Sequence, residues 1–247
     1  MTTTKRLNIP GDEWEQVRKR VLPHAATDHH YRPGLSCVEL AVVDGHRRWT
    51  ATDSFTCAQL RGGPTKAAAM SVLLSTSLFR PATPKPDVVR LKVTRTEVTV
   101  SSEHWDRTAE PIEDDYPDVD GIIAKSLDRP KTIEGRFTAV PRNPSGQFDL
   151  VALILDDRAI YARNGSGCYW QIGTCNEPFG MFPIALNRKF LSRCVKTVGD
   201  HRAHFDRPLS PVVFISNEHP VTALVMPMCG GAHEWLGAGW REEVVTA

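Results

Sequence analysis

The segment DLVALILDDRAIYARNGSG (149–167) restates CVELAVVDGHRRWTATDSF (37–55): an apolar strand, a turn on Asp, an aromatic-bearing strand, then a small polar turn. Self-similarity at an offset of about 110–120 residues marks duplicated domains rather than one large fold. The 247 residues accommodate this, because domains most often run to about 100–150 residues. The repeat therefore predicts two α+β domains, each with helices packed on antiparallel sheets.

In the first copy, Asp12 is an expected N-cap with Glu15 three residues on, the pattern of a capping box. Trp14, Val17 and Val21 recur at helical spacing, predicting an amphipathic helix over 12–22 that ends near Pro23. Asp44-Gly45 signals a hairpin between two strand-like runs. KAAAMSVLLSTSLF (66–79), rich in Ala, Leu and Met, predicts a second helix, and the alternation in VVRLKVTRTEVTVSS (88–102) a second hairpin. PIEDDYPDVDG then breaks the pattern with prolines and acids, which places an inter-domain linker around 121–131.

In the second copy, FTAVPRNPSGQ is too rich in Pro and Gly for a helix before Asp149. Asn187 caps a helix whose stripe is Phe190, Leu191, Cys194, Val195 and Val198, closed by Gly199. PLSPVVFIS and PVTALVMPM form a last hairpin, with Thr222 to Val225 as a core strand.

Several function classes lack support. No G-x-S-x-G, G-x-x-x-x-G-K-[ST] or G-x-G-x-x-G occurs. The six cysteines include no C-x-x-C pair and read as free buried thiols. His29-His30 and His201-x-x-His204 lack a second pair at zinc-like spacing, so no metal or other cofactor is expected. Cys229 with His233 is the one nucleophile–base pairing that suggests a hydrolase, but CGGAH disfavours the helix it needs. No enzyme activity is expected. No run approaches the roughly 18 apolar residues of a membrane span, and the first residues lack a signal-peptide core, so a cytoplasmic protein is expected.

Charge is more informative. Lys189, Arg193 and Lys196 lie opposite the apolar stripe of 187–198, with Arg188 beside them and no acid among them. On helix 12–22, Lys19 and Arg20 fall on the outer face and Arg18 borders the buried one, diluted by Glu13 and Glu15. A solvated helix face is the plain reading. Cations without interleaved aromatics also suit sequence-independent contact with duplex phosphates.

TATDSFTCAQL, DDYPDVDGIIAKSLD, IALNRKFLSRCVKTVG, PLSPVVFI and VMPM, in this order, resemble the bacterial DNA polymerase III beta subunit, the sliding clamp family. The family's chain holds three similar domains, and two chains close a six-domain ring around duplex DNA. Residues 1–122 resemble the middle domain and 123–230 the last, with 231–247 as an extension. A six-domain ring of this shortened chain would need three copies, joined head to tail. The resemblance implies a non-enzymatic processivity factor of a bacterial cell or phage-infected bacterium, partnered by duplex DNA, a replicative polymerase and a clamp loader. DNA would face Arg18, Lys19, Arg20, Arg188, Lys189, Arg193 and Lys196. The resemblance further implies an inter-domain pocket for short peptides. Its first wall would be Leu35, Thr52, Ser54, Phe55 and Cys57, with Pro117 and Ile122. Its second wall would be Pro211, Leu224 and Met226. Ser54-Phe55-Thr56-Cys57 stands where the family usually has Gly-His-Arg-Leu, Gly121 replaces a common arginine, and nineteen residues follow VMPM. A clamp paralogue that forms no ring and sequesters clamp-binding partners is the alternative.

Overall fold

The computed structural model describes residues 4–27, 32–128, 133–138, 150–156, 158–163, 169–176 and 184–228. The chain divides into two compact units, Met1–Val119 and Asp120–Ala247.

The first unit opens with β1 (Lys5–Pro10) and α1 (Gly11–Gln16), which runs on as a π-helical turn (Val17–Val21) and a 3-10 turn (Leu22–His24). Trp14, Val17 and Val21 are buried, as their spacing predicts. The expected capping box does not form. Pro10 stands at the N-cap with no side-chain cap, Asp12 lies inside the helix and pairs with Lys85, and Glu15 pairs with Arg18. Gly11 explains the earlier start: its N–H bonds Asp87 O at 2.7 Å, and a Cβ there would stand 1.7 Å from Pro86 O. Only glycine lets the helix begin against that backbone.

Four strands follow: β2 (Cys37–Val43), β3 (His46–Thr52), β4 (Thr56–Pro64) and β5 (Met70–Ser75). Asp44 and Gly45, at φ 50° and 72°, turn β2 into β3 as the Asp-Gly signal predicts. The helix expected over 66–79 is not formed. Its middle is β5, paired antiparallel with β2 from Cys37↔Ser75 to Val42↔Met70, and Thr76–Phe79 make one 3-10 turn. Burial of Leu73 and Leu74 against the sheet outweighs the helical propensity of the Ala-rich start. A meander completes the unit: β6 (Val88–Val93), β7 (Val98–Ser101) and β8 (Asp106–Ala109). The strand orders are β1-β6-β7-β8 and β5-β2-β3-β4. In the core Trp14 stacks on Phe79 at 4.4 Å and meets Trp49 edge-on at 6.1 Å.

The stretch expected as a linker is helical: α2 spans Val119–Leu127. Val119, Ile123 and Ser126 recur on one side and are buried, Asp120 sits in the first turn and Lys125 in the last. The second unit then places β9 (Ile133–Phe137), β10 (Leu150–Asp156), β11 (Ala159–Arg163), β12 (Tyr169–Cys175) and β13 (Ile184–Asn187) before α3 (Arg188–Val198). β14 (His201–Phe205), β15 (Val212–Ser216) and β16 (Val221–Val225) close it, in the order β13-β10-β11-β12-β9-β14-β15-β16.

The two units share one wiring. In each, the first strand pairs with the sixth, the last three form a meander, and the second to fifth lie in the order 5-2-3-4. β2 begins at residue 37 and β10 at 150, 113 positions on; β8 begins at 106 and β16 at 221, 115 positions on. Two contrasts stand out: in the second unit the first strand also pairs with the fourth, β9 with β12, joining the two sets of strands, and between the fifth and sixth strands the second unit has α3 where the first has a single 3-10 turn. Residues 139–149, His29-His30, Cys229, His233 and the extension lie outside the described residues.

Candidate nucleic-acid interface

α3 is the best-formed cationic element. The Asn187 side chain accepts the Lys189 N–H at 2.9 Å and fixes the start, and Gly199, at φ 70°, ends the helix. Leu191, Cys194, Thr197 and Val198 are buried against β16 and β15, and the Cys194 thiol donates to Leu224 O at 3.3 Å. Phe190 and Val195, expected in the buried stripe, are only half-buried, and Thr197 takes a buried place instead. Lys189 and Lys196 are exposed, while Arg188 and Arg193 are half-buried. The Arg193 guanidinium lies 5.4 Å from the Phe190 ring centroid, which pre-orders it. No acid occurs from Arg188 to Val198, so the charges that the helix itself contributes are all positive.

The first unit's cations are differently placed. Arg18 donates to both Glu15 carboxylate oxygens, at 3.1 and 2.9 Å, and Lys19 Nζ stands 4.0 Å from the same group. The hydrogen bond from Arg18 is the main reason the Glu15 carboxyl is held below its usual range. Arg20 Nε donates to Gln16 Oε1 at 2.7 Å. Glu15 therefore offsets part of this surface, whereas Glu13 does not. Glu13 turns inward and accepts from Arg47 Nε (2.7 Å) and Nη2 (2.8 Å), Trp49 Nε1 (2.7 Å) and Gly63 N (3.0 Å). Burial raises its pKa, and these donors outweigh it, leaving the carboxyl below its usual value. A Cβ on Gly62 would stand 2.3 Å from Glu13 Oε1, so glycine is what lets β4 approach. One signal pointed to Glu13 as a buried acid: it lies four and eight residues before Val17 and Val21, on their side of the helix.

The residues expected from the sequence to line a peptide pocket divide by exposure. Leu35, Thr52, Cys57 and Leu224 are all buried, at 1%, 6%, 3% and 3% exposure, and present little surface. Burial pushes the Cys57 thiol up to about 12, with Asp53 adding to it, so it is no nucleophile. Pro117, Pro211 and Met226 are half-buried, Ser54 is exposed at φ 74°, and Phe55 and Ile122 are 57% and 40% exposed. In the first unit the β3–β4 turn gathers four of these residues. Thr52 pairs with Cys57, and Thr52 Oγ1 donates to Thr56 O at 2.8 Å. Asp53 Oδ1 accepts from the backbone N–H of Phe55 (3.0 Å) and of Thr56 (2.7 Å), fixing the turn that carries Phe55.

His201 and His204 fall on β14 but serve no metal cluster. No group of three or more His, Cys, Asp or Glu suited to a metal occurs among the described residues. His201 Nδ1 donates to Gly199 O at 2.6 Å and Nε2 accepts from Phe137 N at 3.3 Å, which defines a neutral ring. The acidic stretch before α2 is also tied down, with Asp114 Oδ2 accepting from Gly34 N (2.7 Å) and Tyr116 donating to Thr50 O (3.1 Å). No helix among the described residues is long and apolar enough to cross a membrane.

No protein-family model matches the sequence, and no curated protein matches it. The fold is that of solved DNA polymerase III beta subunits. The Thermotoga maritima beta subunit superposes with a TM-score of 0.76 at 16% identity, over 91% of this chain and 65% of that one. The Pseudomonas aeruginosa subunit gives 0.75 at 16% identity, over 90% and 65%. The Streptococcus pyogenes subunit gives 0.75 at 18% identity, also over 90% and 65%. This chain thus spans just under two thirds of the length of the solved chains it matches.

Proposed function

We propose that this chain is a DNA sliding clamp: a non-enzymatic processivity factor that encircles duplex DNA, as a ring of three copies, in a bacterial cell or phage-infected bacterium. The observation that carries the proposal is α3, a capped helix on a clamp-like fold whose outer face holds Arg188, Lys189, Arg193 and Lys196 without an acid. Such a face grips phosphates without reading bases and leaves the protein free to slide. A replicative polymerase and a clamp loader dock by short peptides. In the first unit Phe55 is the accessible apolar contact, with Leu35, Thr52, Ser54, Cys57 and Pro117 around it in the proposed wall; in the second, Ile122 and Met226 are the accessible ones, with Pro211 and Leu224.

The test is retention on nicked circular DNA. Lys189→Glu, Arg193→Glu and Lys196→Glu together are expected to abolish retention while the oligomer mass stays unchanged. Undiminished retention overturns the assignment of α3 to DNA. A second reading is a ringless interaction module that sequesters clamp-binding partners. It is favoured by the Glu15 pairing of Arg18 and Lys19 and by the single 3-10 turn that stands in the first unit where the second has α3. Partner binding by a monomer that is not retained on DNA identifies that module.

A further inference from the structure

The outer face of the sheet β1-β6-β7-β8 breaks a pairing rule. Leu7, Ile9, Val89, Leu91, Val98 and Val100 fill the buried face, so the alternate residues face solvent. On that solvent side Arg6 stands directly opposite Lys92, and Asn8 opposite Arg90. Arg6, Asn8, Arg90 and Lys92 are all exposed. Two cations facing each other across a strand pair destabilise it, and natural sheets normally place an acid there. None is present here. β1 and β6 carry no carboxylate, and Arg6, Arg90 and Lys92 make no ion pair with any described residue. The nearest acids on this side are peripheral: Glu97 at the β6–β7 turn, engaged by Thr99, and Asp106 on the outer strand β8, opposite Ser101.

The same rows continue with neutral donors. Lys92 faces Thr99, which faces Thr108, and Arg90 faces Ser101. A local conflict left uncompensated is the kind of rule violation that functional surfaces carry. We propose that this face binds the phosphate backbone of a nucleic acid, as a contact surface separate from α1 and α3. Three cations set among Asn, Thr and Ser are the side chains that hold phosphate oxygens. No aromatic residue lies on the exposed rows, so the surface suits a duplex backbone, not stacked single-stranded bases. An acidic peptide would meet the same cations and donors, and competition by polyglutamate separates it from a duplex.

The experiment measures binding of the full chain to a short, labelled, blunt-ended duplex of mixed sequence across a salt series. Threading through a ring does not hold such a duplex, so the outcome is separable from the clamp reading. For Arg6→Gln, Arg90→Gln and Lys92→Gln combined, the slope of log K against log salt is expected to shrink by about 2.7, at about 0.9 for each phosphate left without its cation. Arg6→Lys with Arg90→Lys keeps the slope. In the unmodified protein, duplex should protect Lys92 from an amine-reactive reagent, read by mass spectrometry, which needs no variant to fold. An unchanged slope in the Gln variant overturns the proposal. So does an unprotected Lys92, or polyglutamate that competes as well as duplex, the last assigning the face to acidic protein.

Discussion

At the scale of single residues, the first unit is organised by one carboxylate. Glu13 is 9% and Arg47 5% exposed in their side chains, and the pair is fixed by charge-assisted bonds from Arg47 Nε and Nη2 and from Trp49. Removing one partner of a buried pair strands the other in a low-dielectric site, which is costlier than the pair is worth. Glu13→Ala is therefore expected to destabilise the first unit by about 3–5 kcal/mol in denaturant unfolding. A loss below about 1 kcal/mol would mean that Arg47 finds solvent, as exposed pairs do. Legibility at this scale was uneven. The buried Trp14, Val17 and Val21 followed from periodicity, and Asn187 and Gly199 from capping chemistry. Arg47 as the partner of Glu13 was beyond reach, because 34 residues separate them and only the packing of α1 on β3 and β4 joins them.

At the scale of elements, α3 was legible because a full apolar stripe, a cap and a terminating glycine agree with one another. The segment 66–79 was not. Its composition favours a helix, while its place beside β2 is decided by residues about 30 positions away. α2 was obscured by the prolines and acids before it, although Asp118 and Asp120 suit a helix start. β14 supplies a prediction that sequence alone did not suggest. His201 ties three elements, bonding the α3–β14 turn through Gly199 O and β9 through Phe137 N, and its ring stacks near Phe137. Burial chiefly lowers its pKa, so the unfolded chain takes the proton at a higher pH than the folded one. The tie is fully present above the unfolded value of about 6.5 and is lost as pH falls towards the folded value. Melting temperature should thus drop as pH falls below about 6.5, before the depressed carboxylates Glu13 and Glu15 titrate. His201→Phe packs in the same aromatic cluster but cannot titrate; it should make that window shallower, leaving the share of His204, whose pKa burial also lowers, and cost about 1–3 kcal/mol by stranding the Phe137 N–H. A variant that keeps the full slope would assign the effect elsewhere.

At the scale of the whole molecule, the repeated wiring sets what an assembly must satisfy. β8 is the outer strand of its sheet, with one side of its backbone left without a ladder partner among the described residues. An open edge invites another chain, and Asp106 is its exposed charge, since Arg107 is tied to the Leu78, Arg80 and Pro81 carbonyls. Like copies joined head to tail through such edges either close into a ring or grow without limit, and closure alone leaves no edge free. The proposed clamp has six domains of one wiring, and each copy here brings two, so three copies close it. Light scattering in solution should give three times the 27.5 kDa chain mass, with the value holding on dilution well into the micromolar range. The α3 triple reversal should leave that mass unchanged, since its cations face away from the helix's packed side. A twofold mass would demand a different closure, and a monomer that persists at high concentration overturns the ring and leaves the ringless module as the reading of this fold.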